Sequence, residues 1–216
     1  MSDRRALAQR LAVVAGFDDP SARLEQYRTP PELAAHIVHL ADLRDDVAGR
    51  TVVDLGAGTG MLALGAALCG PDRVVGVELD AAALSTARDN AVRVGSATDL
   101  GWVRADVGRL PLSPAEPTTV LSNPPFGAVD GREGADRQFL AAAAAVADVS
   151  YTVHNAGSRE FVEAFAADNG GTVTDAYAAD FEVTDRFDHH TSDVETVAVE
   201  VFRTEWDRNR IPGRGP

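Results

Sequence analysis

The chain has 216 residues and a formal net charge of −13, and all 20 of its basic residues are arginine. That length suits one α/β domain with a full core and leaves little room for a second. A single cysteine, Cys69, excludes an internal disulfide and a cysteine-based zinc site, and it reads as a small core residue. No uninterrupted apolar run is long enough to span a membrane, and the N-terminus lacks the basic-then-apolar order of a secretory signal. A cytoplasmic location is therefore expected. Excess surface acid repels itself in dilute buffer, whereas at about 1 M salt the Debye length shrinks to about 3 Å. The composition predicts adaptation to a salt-rich interior, where net charge weighs little against an RNA partner.

An amphipathic helix with Leu7, Leu11 and Val14 on one face opens the chain and ends at Gly16. A loop through Pro20 leads to Leu24-Glu25-Gln26-Tyr27-Arg28-Thr29-Pro30-Pro31, where Thr29 is placed as N-cap and Pro30 as the first residue of a helix through Ala41. After Gly49, strands over 51–55, 74–78, 102–104, 118–122 and 150–154 alternate with helices over 59–69, 81–94 and 136–147. A further helix starts at Ser158 and stops at Asn169-Gly170-Gly171. Two longer strands follow near 172–183 and 194–204, joined by a loop through His189 and His190. The alternation implies a parallel sheet with helices on both faces, and the closing pair forms an antiparallel hairpin at one edge. One domain is expected over 1–207, with 1–48 supplying N-terminal helices and a capping segment. The Gly-, Pro- and Arg-rich tail 208–216 is expected to be disordered.

Asp54-Leu55-Gly56-Ala57-Gly58-Thr59-Gly60 sits where the first strand hands over to a helix. Glycines there allow a sharp turn and close approach of a ligand, and the helix start offers free N–H groups. Glu78 ends the second strand, where a carboxylate can accept both hydroxyls of a ribose. Asp106-Val107 follows the third, where an acid can accept from an adenine amine while the next residue packs on its ring. Gly58-Thr59-Gly60-Met61-Leu62-Ala63 also fits a dinucleotide fingerprint in letters, but it starts late and leaves Asp54 and Gly56 without a role. The D-x-G-x-G-x-G form resembles motif I of class I S-adenosylmethionine methyltransferases.

Asn123-Pro124-Pro125-Phe126 follows the fourth strand. The two prolines fix backbone directions, so the Asn123 carboxamide oxygen and a neighbouring carbonyl can grip both hydrogens of a planar NH2 group. Phe126 offers a ring for a base to stack on. Taken alone, these residues are also compatible with a plain proline turn.

Leu24-Glu25-Gln26-Tyr27-x-Thr29-Pro30, Asn123-Pro124-Pro125-Phe126-Gly127 and Tyr151-Thr152-Val153-His154 together resemble the archaeal and eukaryotic small-subunit rRNA adenine-N6 methyltransferases, over nearly the whole chain. The resemblance implies a single Rossmann-like α/β domain with a seven-stranded, mostly parallel sheet, and S-adenosylmethionine as cofactor. It implies that Gln26, Thr29, Gly56, Thr59, Met61, Glu78 and Asp106-Val107 touch that cofactor; Asp54, Gly58, Gly60 and Asn123 are assigned to the same site, and Tyr27 either closes over the cofactor or staples the loop to the helix. Asn123, Pro124, Pro125 and Phe126 would hold the adenine. It also implies RNA as substrate and a small zinc-binding activator protein as partner in a heterodimer. Leu100-Gly101-Trp102-Val103, as an edge strand, is a place for that partner, unless Trp102 simply packs beneath a helix. The chain departs from the pattern at Asp130, Arg132 and His189-His190, where relatives often carry lysine. A glutamine-N5 methyltransferase is the competing enzyme, and a cofactor-binding subunit without activity is the competing non-enzyme. His36 and His39 lack a third ligand and are assigned packing or surface roles, while a substrate contact by His154 stays open.

Overall fold

Five short strands pair in parallel in the order β3-β2-β1-β4-β5. They are β1 (Thr51–Leu55), β2 (Arg73–Glu78), β3 (Asp99–Arg104), β4 (Thr118–Ser122) and β5 (Val149–Asn155). The computed structural model describes residues 3–113, 117–125, 134–184 and 194–207, with side chains at 181–184 and 194–195 left out. The β1 and β4 strands are buried along nearly their whole length, as expected of central strands covered on both faces. The sheet closes with β7 (Val194–Trp206) antiparallel to β5, and β6 (Gly171–Thr184) antiparallel to β7. That makes seven strands, with β3 and β6 at the edges.

Four helices pack on one face: α1 (Arg4–Leu11), α2 (Pro31–Leu43), α3 (Met61–Ala67) and α4 (Ala81–Val94). On the other face lie α5 (Ala135–Val146) and α6 (Arg159–Asp168), whose Phe139, Leu140, Val162 and Phe165 meet Val53, Val120 and Phe202 of the sheet. No helix among the described residues is long and apolar enough to cross a membrane.

Several local expectations change. The first helix ends at Leu11 rather than Gly16, although Val14 stays buried beyond it. The α2 helix begins one residue late, with Pro30 as its cap residue and Pro31 at its first position. Thr29 does not cap it, because its hydroxyl accepts a hydrogen bond from Asn123, 94 residues away. Trp102 lies on edge strand β3, yet its indole is packed inward: a Cβ on Gly76 would stand 2.3 Å from the ring. The tail 208–216, the His189-His190 loop, Phe126, Gly127, Asp130 and Arg132 lie outside the described residues.

Candidate active site

A cavity of about 650 Å³ opens over the C-terminal ends of β1 to β4, a volume in the range of small-molecule and cofactor sites. Its floor is the turn after β1. The N–H groups of Gly56 and Ala57 both donate to the Val77 carbonyl at 2.9 Å, which ties the turn to β2. Gly56 has φ +70°, and a Cβ there would stand 2.9 Å from the Phe139 ring, so both the backbone and the space require glycine. The Gly58 N–H donates to Glu78 Oε2 at 2.9 Å, while Glu78 Oε1 accepts from the N–H groups of Leu79 and Asp80. Three backbone donors thus fix that carboxylate at the cavity wall. Asp106 accepts from the Gly108 N–H at 2.8 Å and stands with Val107 on the same wall.

Most of the expected site residues line this cavity: Gln26, Tyr27, Thr29, Gly56, Gly58, Thr59, Met61, Glu78, Asp106, Val107, Asn123 and Pro125. Asp54, Gly60 and Pro124 do not. Asp54 is buried beneath the turn, where its Oδ2 accepts from the Ala63 N–H at 2.8 Å and secures the first turn of α3. Burial pushes its carboxyl up to about 7; the Ala63 bond opposes the rise and the nearby Glu78 charge adds to it. Gln26 lines the cavity with its carboxamide already engaged, accepting from the Ser21 N–H and donating to Asp80, each at 2.8 Å. The bond from Gln26 helps hold the Asp80 carboxyl below its ordinary range.

Asn123 is held from both ends of its carboxamide. Its Oδ1 accepts from the Tyr27 hydroxyl at 3.0 Å, and its Nδ2 donates to Thr29 Oγ1 at 3.0 Å. Burial raises the Tyr27 pKa, so the phenol stays a donor across the physiological range. The segment before α2 thereby orients the Asn-Pro-Pro turn after β4. His154 is fully buried, with Nε2 3.0 Å from Thr152 Oγ1 and its ring edge-on to Phe202, and it does not line the cavity. Among the described residues, no three His, Cys, Asp or Glu side chains are arranged to hold a metal.

Two supports escaped the sequence. Asn90, fully buried in α4, bonds both the N–H and the C=O of Ala15 and the carbonyl of Thr59. It pins the segment after α1 against the glycine turn, and Phe17 of that segment then packs on Gly58. A polar residue in the buried stripe Ala83, Ala87, Asn90, Val94 was the available signal.

The parallel sheet, the glycine turn with its facing acids, and the Asn-Pro-Pro turn on the next strand define the class: a methyltransferase. The sequence pattern of the methyltransferase small domain matches residues 35–150. The chain is 34% identical to the rRNA N(6)-adenosine-methyltransferase Mettl5 of Drosophila melanogaster, over 93% of this chain and 95% of that one. It is 32% identical to MJ0284 of Methanocaldococcus jannaschii over 95% of both. The crystal structure of PH1948 from Pyrococcus horikoshii superposes with a TM-score of 0.84 at 34% identity, over 95% of this chain and 98% of that one. The chain belongs to the rRNA N(6)-adenosine-methyltransferase family that includes Mettl5.

Proposed function

We propose that this protein transfers a methyl group from S-adenosylmethionine to N6 of one adenosine in small-subunit rRNA. The observation that carries the reading is Asn123, an amide acceptor at the cavity wall whose orientation is fixed by Tyr27 and Thr29. The residues present fit the cofactor. The turn that lines the cavity needs glycine at Gly56 and Gly58, where a Cβ would press on the Phe139 and Phe17 rings, and anchored carboxylates stand at Glu78 and Asp106. Glu78 is suited to ribose hydroxyls, and Asp106 with Val107 to an adenine edge and face. When bound, S-adenosylmethionine supplies an electrophilic methyl carbon.

The chain itself does the positioning. Tyr27 occupies one lone pair of Asn123 Oδ1, which leaves the other for an N–H of the substrate amine. The carbonyl of Pro124, a residue set just behind the cavity lining between Asn123 and Pro125, is assigned the second N–H from its place in the motif, its direction restricted by two prolines. Phe126 is assigned the stacking role from its place in the sequence. Two acceptors favour a pyramidal nitrogen whose lone pair is free to attack. The amine releases its proton to solvent afterwards, so no strong base is needed and catalysis rests on positioning and electrostatics. Deletion of the gene is expected to remove one N6-methyladenosine from purified small-subunit rRNA, read by mass spectrometry of nuclease digests. An unchanged level rejects the rRNA assignment.

We also assign the protein to a salt-rich cytoplasm and to a heterodimer with a small zinc-binding activator, which adds a strand to the open edge of β3. With Trp102 turned inward, that contact runs through backbone groups. Circular dichroism, size-exclusion chromatography and a methyl-transfer assay of the chain alone, in about 2 M and then about 50 mM salt, test both assignments. Loss of the folded spectrum at low salt is expected, as are association and weak activity without the partner. An unchanged spectrum removes the salt adaptation, and a monodisperse, fully active chain removes the partner.

A further inference from the structure

The charged residues that line the cavity among the described residues are Glu25, Glu78, Asp106 and Arg137, so Arg137 is the one cation there. It sits in the first turn of α5, and its guanidinium carbon lies 5.6 Å from the Phe161 ring centroid and 5.5 Å from that of Phe165. Phe165 is buried in the core between α5 and α6, so the platform beneath the guanidinium is fixed. Among the other described arginines, Arg44, Arg73 and Arg159 face the carboxylates of Asp175, Asp99 and Glu163, while Arg10, Arg28 and Arg104 bond backbone carbonyls. Arg137 rests on an aromatic pair, with no carboxylate partner among the described residues. Cation–π contact uses the flat face of a guanidinium and leaves its in-plane N–H donors for an acceptor.

Sheet order says which ligand that acceptor belongs to. The glycine turn, Glu78 and Asp106 follow β1, β2 and β3, on one side of β4. The platform belongs to α6, which follows β5 on the opposite side. The two rings hold the Arg137 guanidinium toward α6, while its neighbours Gln138 and Phe139 approach Gly108 and Gly56 beside the proposed cofactor carboxylates. We propose that Arg137, seated on Phe161 and Phe165, binds a backbone phosphate of the RNA beside the target adenosine, an inference that rests on the function proposed above. A charge-assisted contact at hydrogen-bond distance survives in strong salt, where the long-range field of the protein is screened away.

The test uses the purified full chain in complex with its activator partner and small-subunit rRNA from a deletion strain, with KM and kcat measured across a salt series. Arg137→Gln is expected to raise KM for the RNA about tenfold with kcat nearly unchanged. It should also flatten the dependence of log KM on log salt by about 0.7, the share of one phosphate on a single strand. Arg137→Lys should restore the slope and part of the KM, and affinity for S-adenosylhomocysteine by calorimetry should match wild type. An unchanged salt slope overturns the proposal and leaves Arg137 as glue between α5 and α6. Weakened S-adenosylhomocysteine binding overturns it in favour of a contact with the cofactor. If the wild-type protein methylates the rRNA, either result removes the Arg137 assignment alone. If the wild-type protein does not, the rRNA reading falls and takes Arg137 with it.

Discussion

Asn123→Ala is expected to lower kcat for RNA methylation about a thousandfold while affinity for S-adenosylhomocysteine stays within about threefold of wild type. Removing one preorganised hydrogen-bonding group aimed at reacting atoms costs about 10²–10³ in rate in other enzymes. Here the same side chain also fixes the turn that carries the Pro124 carbonyl. The Asn123 carboxamide bonds to Tyr27 and Thr29, both in the segment before α2, so its loss unties the acceptor loop from the wall that faces it. The cofactor half is built from β1, β2 and β3, with Gly58, Glu78 and Asp106 held by bonds that do not involve Asn123. Single-turnover methylation with saturating RNA reads the chemical step, and calorimetry with S-adenosylhomocysteine reads the cofactor half. Near-normal turnover would reduce Asn-Pro-Pro to a structural turn.

Strands and helices with a clean period were legible to the residue. The sequence placed 51–55 and 118–122 as strands and 81–94 as a helix, and β1, β4 and α4 have those bounds. The α4 helix carries its own signals, with Asp80 capping its first turn and Gly95 in the left-handed region after its last. The α3 helix came out shorter than the expected 59–69, because Gly60 at φ +93° cannot continue a helix upstream of Met61. Thr29 was misassigned for a different reason. Its hydroxyl chooses a long-range partner over the local N-cap, and no local rule sees across 94 residues. Asp54 shows the same limit in the site. The spacing to Gly56 and Gly58 placed it in the motif, but only the register of β1 beneath α3 shows its carboxyl bonded to Ala63 and outside the cavity. The Arg137 platform needs α5 docked on α6, and nothing in 134–165 alone announces it.

Asp46→Ala is expected to destabilise the fold by about 3–5 kcal/mol, the cost of stranding one member of a buried ion pair. Asp46 lies between α2 and β1 and is 3% exposed. Its Oδ2 accepts from Arg203 Nε at 2.8 Å and from the Tyr151 hydroxyl at 2.7 Å. One carboxylate thus joins the α2–β1 loop to β5 and β7, strands 105 and 157 residues further along the chain. Without it Arg203 keeps Thr174 and the exposed Glu205, while its buried Nε loses the partner that compensates its charge. Against a typical total of about 5–15 kcal/mol that loss is large, and guanidinium-free urea titration at fixed high salt measures it without screening the pair differently in the two proteins. The double variant Asp46→Ala/Arg203→Met should lose less than the two single changes added together, because no charge is left stranded. A loss below about 1 kcal/mol in Asp46→Ala would mean that water reaches the pair and that the network contributes no more than a surface contact. Asp46 precedes β1 and Tyr151 lies near the start of β5, so the network sits at the end of the sheet opposite the cavity. Below its lowered melting point the variant should therefore retain wild-type kcat, which separates a defect in holding the sheet closed from a defect in chemistry.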